Sequence, residues 1–109
     1  MVLIKPLNIH AAEISSYPGQ ALGFMFSPKG KASQAKLFVF KRRKKVGIHM
    51  LFVFFPLIVA WLDDEKRISH VSVMKPFVSF EAHDAKYVLE VPYNSGVLKK
   101  IKLNAALYW

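Results

Sequence analysis

The sequence predicts a mainly β, single-domain protein of about seven mostly antiparallel strands, curled into a barrel-like or sandwich sheet with one short helix near residues 17–26. Two observations predict this class. Apolar and polar residues alternate with the two-residue period of strands in runs rich in β-branched and aromatic side chains. Short polar turns separate these runs, and no repeat or linker divides the chain, so residues 1–109 form one predicted domain.

The predicted elements follow in order along the chain. Residues 2–9 form a first strand, and a serine-capped helix follows it. Apolar residues 36–40 and 46–54 flank the run KRRKK, which predicts a hairpin with the basic run at its tip. A second hairpin joins 56–62 to 67–75 through an acidic turn, and two further strands cover 86–91 and 99–103.

Composition limits the chemistry available to the chain. The sequence has no cysteine, which excludes disulfides, thiol nucleophiles and cysteine-ligated metals. It has 16 Lys and Arg residues against 7 Asp and Glu, so its net charge is +9 at pH 7. A charge of this sign favours anionic partners.

Residues 46–62, VGIHMLFVFFPLIVAWL, resemble a membrane span in hydropathy. Their length is at the bottom of the spanning range of about 17–25 residues, and Gly47, His49 and Pro56 interrupt the run. The Val, Ile and Phe content favours two buried strands instead. Because the first residues also lack a signal-peptide pattern, we predict a cytoplasmic protein without a transmembrane span.

The sequence contains no common motif for catalysis, phosphate binding or metal binding. Its four histidines have no metal-site spacing, so we predict neither a metal nor a cofactor. His83 and Asp84 lie in a predicted loop, where an Asp can orient a His, and they are the weak polar candidates. With Glu81, they leave a small hydrolase or carbohydrate-processing enzyme as a less favoured function.

The basic run is the strongest surface feature of the sequence. Adjacent cations repel one another and cannot be buried unpaired, so these side chains face water or an anion. One interpretation is a solvated loop that prevents edge pairing, and the other is contact with phosphate from nucleic acid or a lipid headgroup. The candidate anion-binding residues are Lys36, Lys41, Arg42, Arg43, Lys44 and Lys45.

Several short motifs resemble those of a known family. GFMF at 23–26 is similar to its GLMF signature, and LFVF at 37–40 and residues 50–63 are similar to its LFVF and M-x5-P-L-x-x-A-x-L-D elements. KPF at 75–77 and YVLEVPYNSG at 87–96 follow in the same order. The chain is thereby identified as a member of domain-of-unknown-function family 192, with the resemblance strongest over 19–103. It implies a small, mostly β fold and no established activity.

The chain departs from the family pattern at positions where many members are polar. Leu51, Phe52 and Val53 stand where many members have Lys-Asn-Thr, and Ile58 replaces an Asp. The resemblance therefore implies that any polar site of the family is missing here, or that this region has an apolar role.

These observations favour a non-enzymatic binding or scaffold module. The alternative is sequence-independent binding of nucleic-acid phosphates through residues 29–45, which hold eight cations and no acid. The aromatic-rich strands are also candidates for a homodimer interface, because exposed apolar patches usually mark partners.

Overall fold

A computed structural model describes residues 1–15 and 35–109 of the chain. These residues form six strands and one short helix, which confirms the predicted mainly β class. The elements are β1 (Val2–Ile4), β2 (Ile9–Ile14), β3 (Ala35–His49), β4 (Leu57–Leu62), β5 (Ile68–Met74), β6 (Phe80–Pro92) and α1 (Ser95–Lys100). The helix predicted near residues 17–26 lies outside the described residues.

The strands form one sheet in the order β1-β2-β3-β6-β4-β5. Neighbouring strands are antiparallel except β2 and β3, which are parallel. The expected barrel-like or sandwich sheet is, in residues 1–15 and 35–109, a single sheet that its six strands do not close into a barrel. Its outer strands are β1 and β5, and the carboxyl-terminal segment forms isolated bridges next to both, Tyr108 with Lys5 and Ala106 with Arg67. Residues outside the strands, such as Phe55 and Leu107, complete the cores on the two faces of the sheet.

One continuous strand replaces the predicted basic hairpin. β3 pairs with β6 on both sides of the basic run, from Lys36 opposite Glu90 to His49 opposite Phe80. The hairpin prediction was wrong because a strand distant in sequence supplies the pairing partners. The register shifts between Val39 and Lys44, so the basic run forms an irregularity within the strand.

The second predicted hairpin is confirmed. β4 pairs with β5, and the acidic turn between them is closed by Asp63. The Asp63 carboxylate accepts hydrogen bonds from the backbone N–H groups of Glu65 and Arg67, both at 2.9 Å. This is the local pairing that makes Asp a frequent turn residue.

Both ends of the described chain differ from the prediction. The first strand, predicted over residues 2–9, ends early at Ile4 as β1, and β2 begins only at the last predicted residue, Ile9, and pairs back onto β1. The strand predicted at 99–103 is wrong, because α1 occupies residues up to Lys100. The Asn94 side chain caps this helix by accepting from the N–H groups of Gly96 and Val97 at 2.9 and 3.1 Å.

All six residues of β4 are buried, and they contribute to cores on both faces of the sheet. Val59 and Trp61 join one core, and Ile58 and Leu62 join the other. Burial on both faces explains why this strand is a continuous apolar run. Trp61 Nε1 also donates a 3.1 Å hydrogen bond to the Val46 carbonyl oxygen, which ties β4 to β3 across β6.

The run at 46–62 forms the end of β3, a loop and then β4. The second predicted strand within it is confirmed, whereas the first ends at His49 instead of residue 54. None of the helices described for this chain is long and apolar enough to cross a membrane. The cytoplasmic location stays a prediction from the sequence.

Candidate functional site

The basic run lies in and directly after a bulge in the β3–β6 pair, and we call this segment the basic bulge (residues 41–45). Val39 pairs with Tyr87 and Lys44 pairs with Ala85, so four residues of β3 lie opposite Lys86 alone. All five side chains of the bulge are exposed. A regular strand would direct alternate side chains to the opposite face, whereas here the irregularity leaves every cation accessible to solvent.

A sixth cation fastens the bulge to β6. Lys86 Nζ donates hydrogen bonds to the carbonyl oxygens of Phe40 and Lys41, the second at 2.9 Å. Beside it, Lys44 Nζ lies 4.9 Å from the ring centroid of Phe40, within the range of a cation–π contact. The buried Phe40 ring and the Lys86 ammonium group therefore anchor the base of the bulge.

No nearby acidic side chain of the described residues forms an ion pair that would compensate the positive charge of the bulge. Asp84 lies opposite Lys45 in the strand pairing, but in residues 1–15 and 35–109 none of the five bulge cations forms an ion pair. Five cations without such partners create a positive potential that attracts anions. The structure thus brings the predicted residues 41–45 together on one exposed feature.

Lys36, the remaining predicted cation, lies outside the bulge. It stands opposite Glu90, which is only 4% exposed. Burial raises the pKa of the Glu90 carboxyl to about 7, against the opposing effect of the Lys36 charge. Desolvation lowers the pKa of Lys36, against the effect of Glu90. Sequence reasoning missed this pair, although a single acid inside the apolar run VLEVP was a signal.

His83 and Asp84 lie within β6, so their predicted loop position is wrong. Adjacent strand residues direct their side chains to opposite faces, and Asp84 therefore does not orient His83. Instead, His83 stacks on His70 with ring centroids 3.7 Å apart and an angle of 12° between the planes. Its Nε2 lies 3.8 Å from Glu81 Oε2, which exceeds hydrogen-bond distance.

The stacked histidines do not form a recognisable reaction centre. Across the described ranges, no group of three metal-ligating side chains is positioned to hold a metal ion. Among the described residues, the carboxylate beside His83 belongs to Glu81, whose side chain is 42% exposed although its Oε2, the atom nearest His83, is buried without a hydrogen-bond partner.

Two adjoining loops present a second exposed feature, which includes Leu51 and Phe52, two of the positions where the family pattern is polar. The β3–β4 loop and the β5–β6 turn carry large apolar side chains that are 46 to 77% exposed. We call this surface the aromatic tip, and its members are Leu51, Phe52, Phe54, Phe77, Val78 and Phe80. Phe77 contacts the rings of Phe52 and Phe54 at centroid distances of 6.4 and 5.5 Å, both edge to face.

Two of these phenylalanines occupy backbone conformations that suit glycine. Phe52 has φ of 57° in a turn closed by a 3.1 Å hydrogen bond from Val53 N to Met50 O. Phe77 has φ of 67° in a γ-turn closed at 2.8 Å between Val78 N and the Pro76 carbonyl oxygen. Positive φ at a bulky residue is rare and strained.

Comparisons with other proteins identify a family and a fold. The sequence model of domain-of-unknown-function family 192, described as an uncharacterized ACR, matches residues 5–107. A search of curated protein sequences finds no match.

Two solved structures resemble the chain. One, from Sinorhizobium meliloti, is described as a "putative transcription regulator"; it has 18% identity and a TM-score of 0.75, over 88% of this chain and 78% of its own. The other, from Novosphingobium aromaticivorans, is described as a protein of unknown function; it has 17% identity and a TM-score of 0.77, over 95% of this chain and 79% of its own. At such identities the likeness shows the fold alone.

Proposed function

The chain belongs to domain-of-unknown-function family 192, and we propose that it is a non-enzymatic binding module whose basic bulge holds the phosphate groups of an anionic partner. The observation that carries this proposal is the exposure of all five cations in one segment of β3, in and directly after an irregularity that Lys86 anchors. Side chains that repel one another in water gain favourable Coulomb energy when phosphates come between them.

The construction of the bulge supports binding over simple solvation. β2 pairs only with residues 35–38 of β3, whereas β6 pairs with β3 on both sides of the bulge, so among the described residues the bulge is held to the sheet by β6 alone. Lys86 further limits the movement of the bulge backbone through its two hydrogen bonds. A backbone held in place loses less conformational freedom when a ligand binds.

Nucleic acid is a second candidate partner. One structural neighbour is described as a "putative transcription regulator", and contact with phosphates alone would bind DNA or RNA without regard to sequence. The basic bulge carries no exposed aromatic side chain for base stacking, because Phe40 is buried beneath it. Any nucleic-acid binding through this bulge should therefore be independent of sequence.

Fluorescence anisotropy with labelled oligonucleotides tests the phosphate contact, because an oligonucleotide is a soluble array of phosphates. We expect binding at low salt that is equal for unrelated sequences and falls by about tenfold or more when residues 41–45 are all changed to glutamine. Equal affinity of the wild type and this variant would overturn the proposal.

A second variant, which removes three positive charges where the bulge variant removes five, controls for net charge. Lys99, Lys100 and Lys102 are exposed cations in and after α1, which follows the carboxyl end of β6, whereas the bulge lies opposite Lys86. Changing these three to glutamine lowers the overall charge without altering the bulge. We expect this variant to retain most of the affinity, and a loss equal to that of the bulge variant would mean that net charge alone attracts the oligonucleotide.

A further inference from the structure

We propose that the anionic partner is a lipid surface, with the aromatic tip inserting into the interface while the nearby cations contact the headgroups. This inference rests on the proposed function and names its partner. It starts from the aromatic tip, where large apolar side chains protrude from two adjoining loops. Side chains of this kind, when they accompany basic residues, are typical of proteins that lie on membrane surfaces.

The aromatic tip lowers the stability of the free protein in two ways. Its side chains expose apolar surface to water, and Phe52 and Phe77 hold strained positive φ angles. Glycine or asparagine would suit both positions better. These residues lower the stability of the isolated protein through both apolar exposure and backbone strain. Such a surface indicates a partner that covers it on binding.

The tip is held together before any partner arrives. Met50 N donates to the Ser79 carbonyl oxygen at 3.1 Å, and Phe77 N donates to the Met50 carbonyl oxygen at 2.8 Å, so the two loops are bonded to each other. The Ser79 hydroxyl also accepts a 2.8 Å hydrogen bond from Lys75 N. Insertion therefore requires little ordering of the loops, which favours binding.

The charges around the tip are mainly positive. Lys75 lies in the same turn, and Lys45 precedes His49, the residue paired with Phe80, by four strand positions. Four positions correspond to about 13 Å along a strand, so Lys45 can reach headgroups when Phe80 enters the interface. The titratable neighbours of opposite sign are Glu81 and Asp84, and in the pairing Asp84 faces Lys45.

Charge complementarity favours an anionic bilayer over a second copy of the chain. Each molecule carries a net charge of +9, so joining two tips would bring two cationic surfaces together. An anionic leaflet instead attracts each nearby Lys or Arg by about 1 kcal/mol, while the hydrocarbon boundary accepts the phenylalanines. Nucleic acid would satisfy the cations but leave the exposed tip in water.

Vesicle sedimentation tests the proposal with the full chain. The probes are vesicles of phosphatidylcholine alone and of phosphatidylcholine with about one quarter phosphatidylserine, a composition that provides a negative surface. We expect binding to the anionic vesicles only. A double variant, Phe52→Asn with Phe77→Asn, should lower the partition coefficient by about tenfold or more while keeping oligonucleotide binding.

Two controls make each outcome decisive. Leu103→Asn with Tyr108→Asn removes exposed apolar side chains beside the opposite end of the β4–β5 hairpin, and it should bind vesicles like the wild type. Thermal unfolding of each variant checks the fold, and Phe54→Ser offers a second change at the tip.

The possible failures separate the two proposals. If the wild type binds oligonucleotides through the bulge but not anionic vesicles, or if folded tip variants bind vesicles as the wild type does, the lipid inference is overturned and the proposed function stands. Self-association that the tip variants abolish, without vesicle binding, would assign the tip to a second copy and also overturn it. If the bulge variant binds both probes normally, the proposed function fails as well.

Discussion

Lys86 Nζ donates a 2.9 Å hydrogen bond to the carbonyl oxygen of Lys41, so a cation of β6 fixes the backbone from which five other cations project. The same ammonium group also bonds to the Phe40 carbonyl oxygen. Two backbone acceptors partly offset the repulsion of this charge by its basic neighbours, because hydrogen bonds to a charged donor are the stronger kind. The hydrogen bonds of Lys86 therefore hold the backbone of the bulge in place.

Replacing Lys86 should make the backbone of the bulge more mobile. In Lys86→Met, the carbonyl oxygens of Phe40 and Lys41 lose a charged donor, and we expect stability to fall by about 1–2 kcal/mol. Hydrogen exchange should quicken at residues 40–44. Exchange followed by mass spectrometry measures this, with Lys102→Met as a control of equal charge at an exposed position. Unchanged exchange at the bulge would show that Lys86 does not fasten it.

Buried Glu90 should make stability depend on pH. Its folded pKa of about 7 lies above the ordinary 4.5, so the folded chain keeps a proton that the unfolded chain loses as pH rises between these values. Stability from this group is full below pH 4.5 and lost as pH rises through 7, at a cost of about 3 kcal/mol.

The variant Glu90→Gln cannot ionise and should lack this dependence. Compared with the wild type, it should gain stability as the pH is raised from about 4.5 to about 8. Urea unfolding at both pH values gives the difference between the proteins, in which contributions from other groups cancel. A difference that stays constant with pH would contradict the raised pKa.

Substitution of an exposed and of a buried phenylalanine only three residues apart should change the stability by very different amounts. In Phe52→Asn, relief of the positive φ offsets the loss of ring packing against Phe77, so stability should stay within about 1 kcal/mol. Phe55 is 3% exposed in the core, and Phe55→Ala should cost about 3–5 kcal/mol. Thermal unfolding compares them, and a large loss of stability in Phe52→Asn would place that ring in the core.

The indole of Trp61 should stabilise the fold through its hydrogen bond as well as through its packing. Trp61→Phe removes part of the buried side chain and also the hydrogen bond to the Val46 carbonyl oxygen. We expect the free energy of unfolding to fall by about 2–4 kcal/mol. The same change at the partly exposed Trp109 should cost about 1 kcal/mol or less. Urea unfolding of both variants measures these costs, and similar values at the two positions would mean that the hydrogen bond to β3 adds little.

Local patterns predicted the elements whose partners are near in sequence. The β4–β5 hairpin follows from two apolar runs and an acidic turn that Asp63 closes. The pairing of β3 with β6 joins residues more than thirty positions apart, and no local pattern encodes it. The basic run therefore predicted a turn, although a distant strand pairs on both sides of it. At the carboxyl end, lysines suggested an edge strand because the cap at Asn94 went unrecognised.

The candidate site was predictable in part for the same reason. Charge alone required residues 41–45 to be exposed, and the structure agrees. Apolar residues such as Phe52 and Phe77 predict burial by their chemistry, so their exposure depends on turns that only the folded chain reveals. The neighbours of His83 likewise depend on the register of β6. The sequence predicted Asp84 beside His83, whereas the structure places Glu81 and His70 there.

The salt dependence of oligonucleotide binding tests the central claim most directly, because its slope reflects the number of phosphates that the protein neutralises. On a plot of log affinity against log salt, changing residues 41–45 to glutamine should make the slope shallower by about 0.9 for each duplex phosphate that the variant no longer neutralises. Changing Lys99, Lys100 and Lys102 should leave the slope near that of the wild type. A bulge variant that keeps the wild-type slope would contradict the assignment of phosphate binding to the basic bulge.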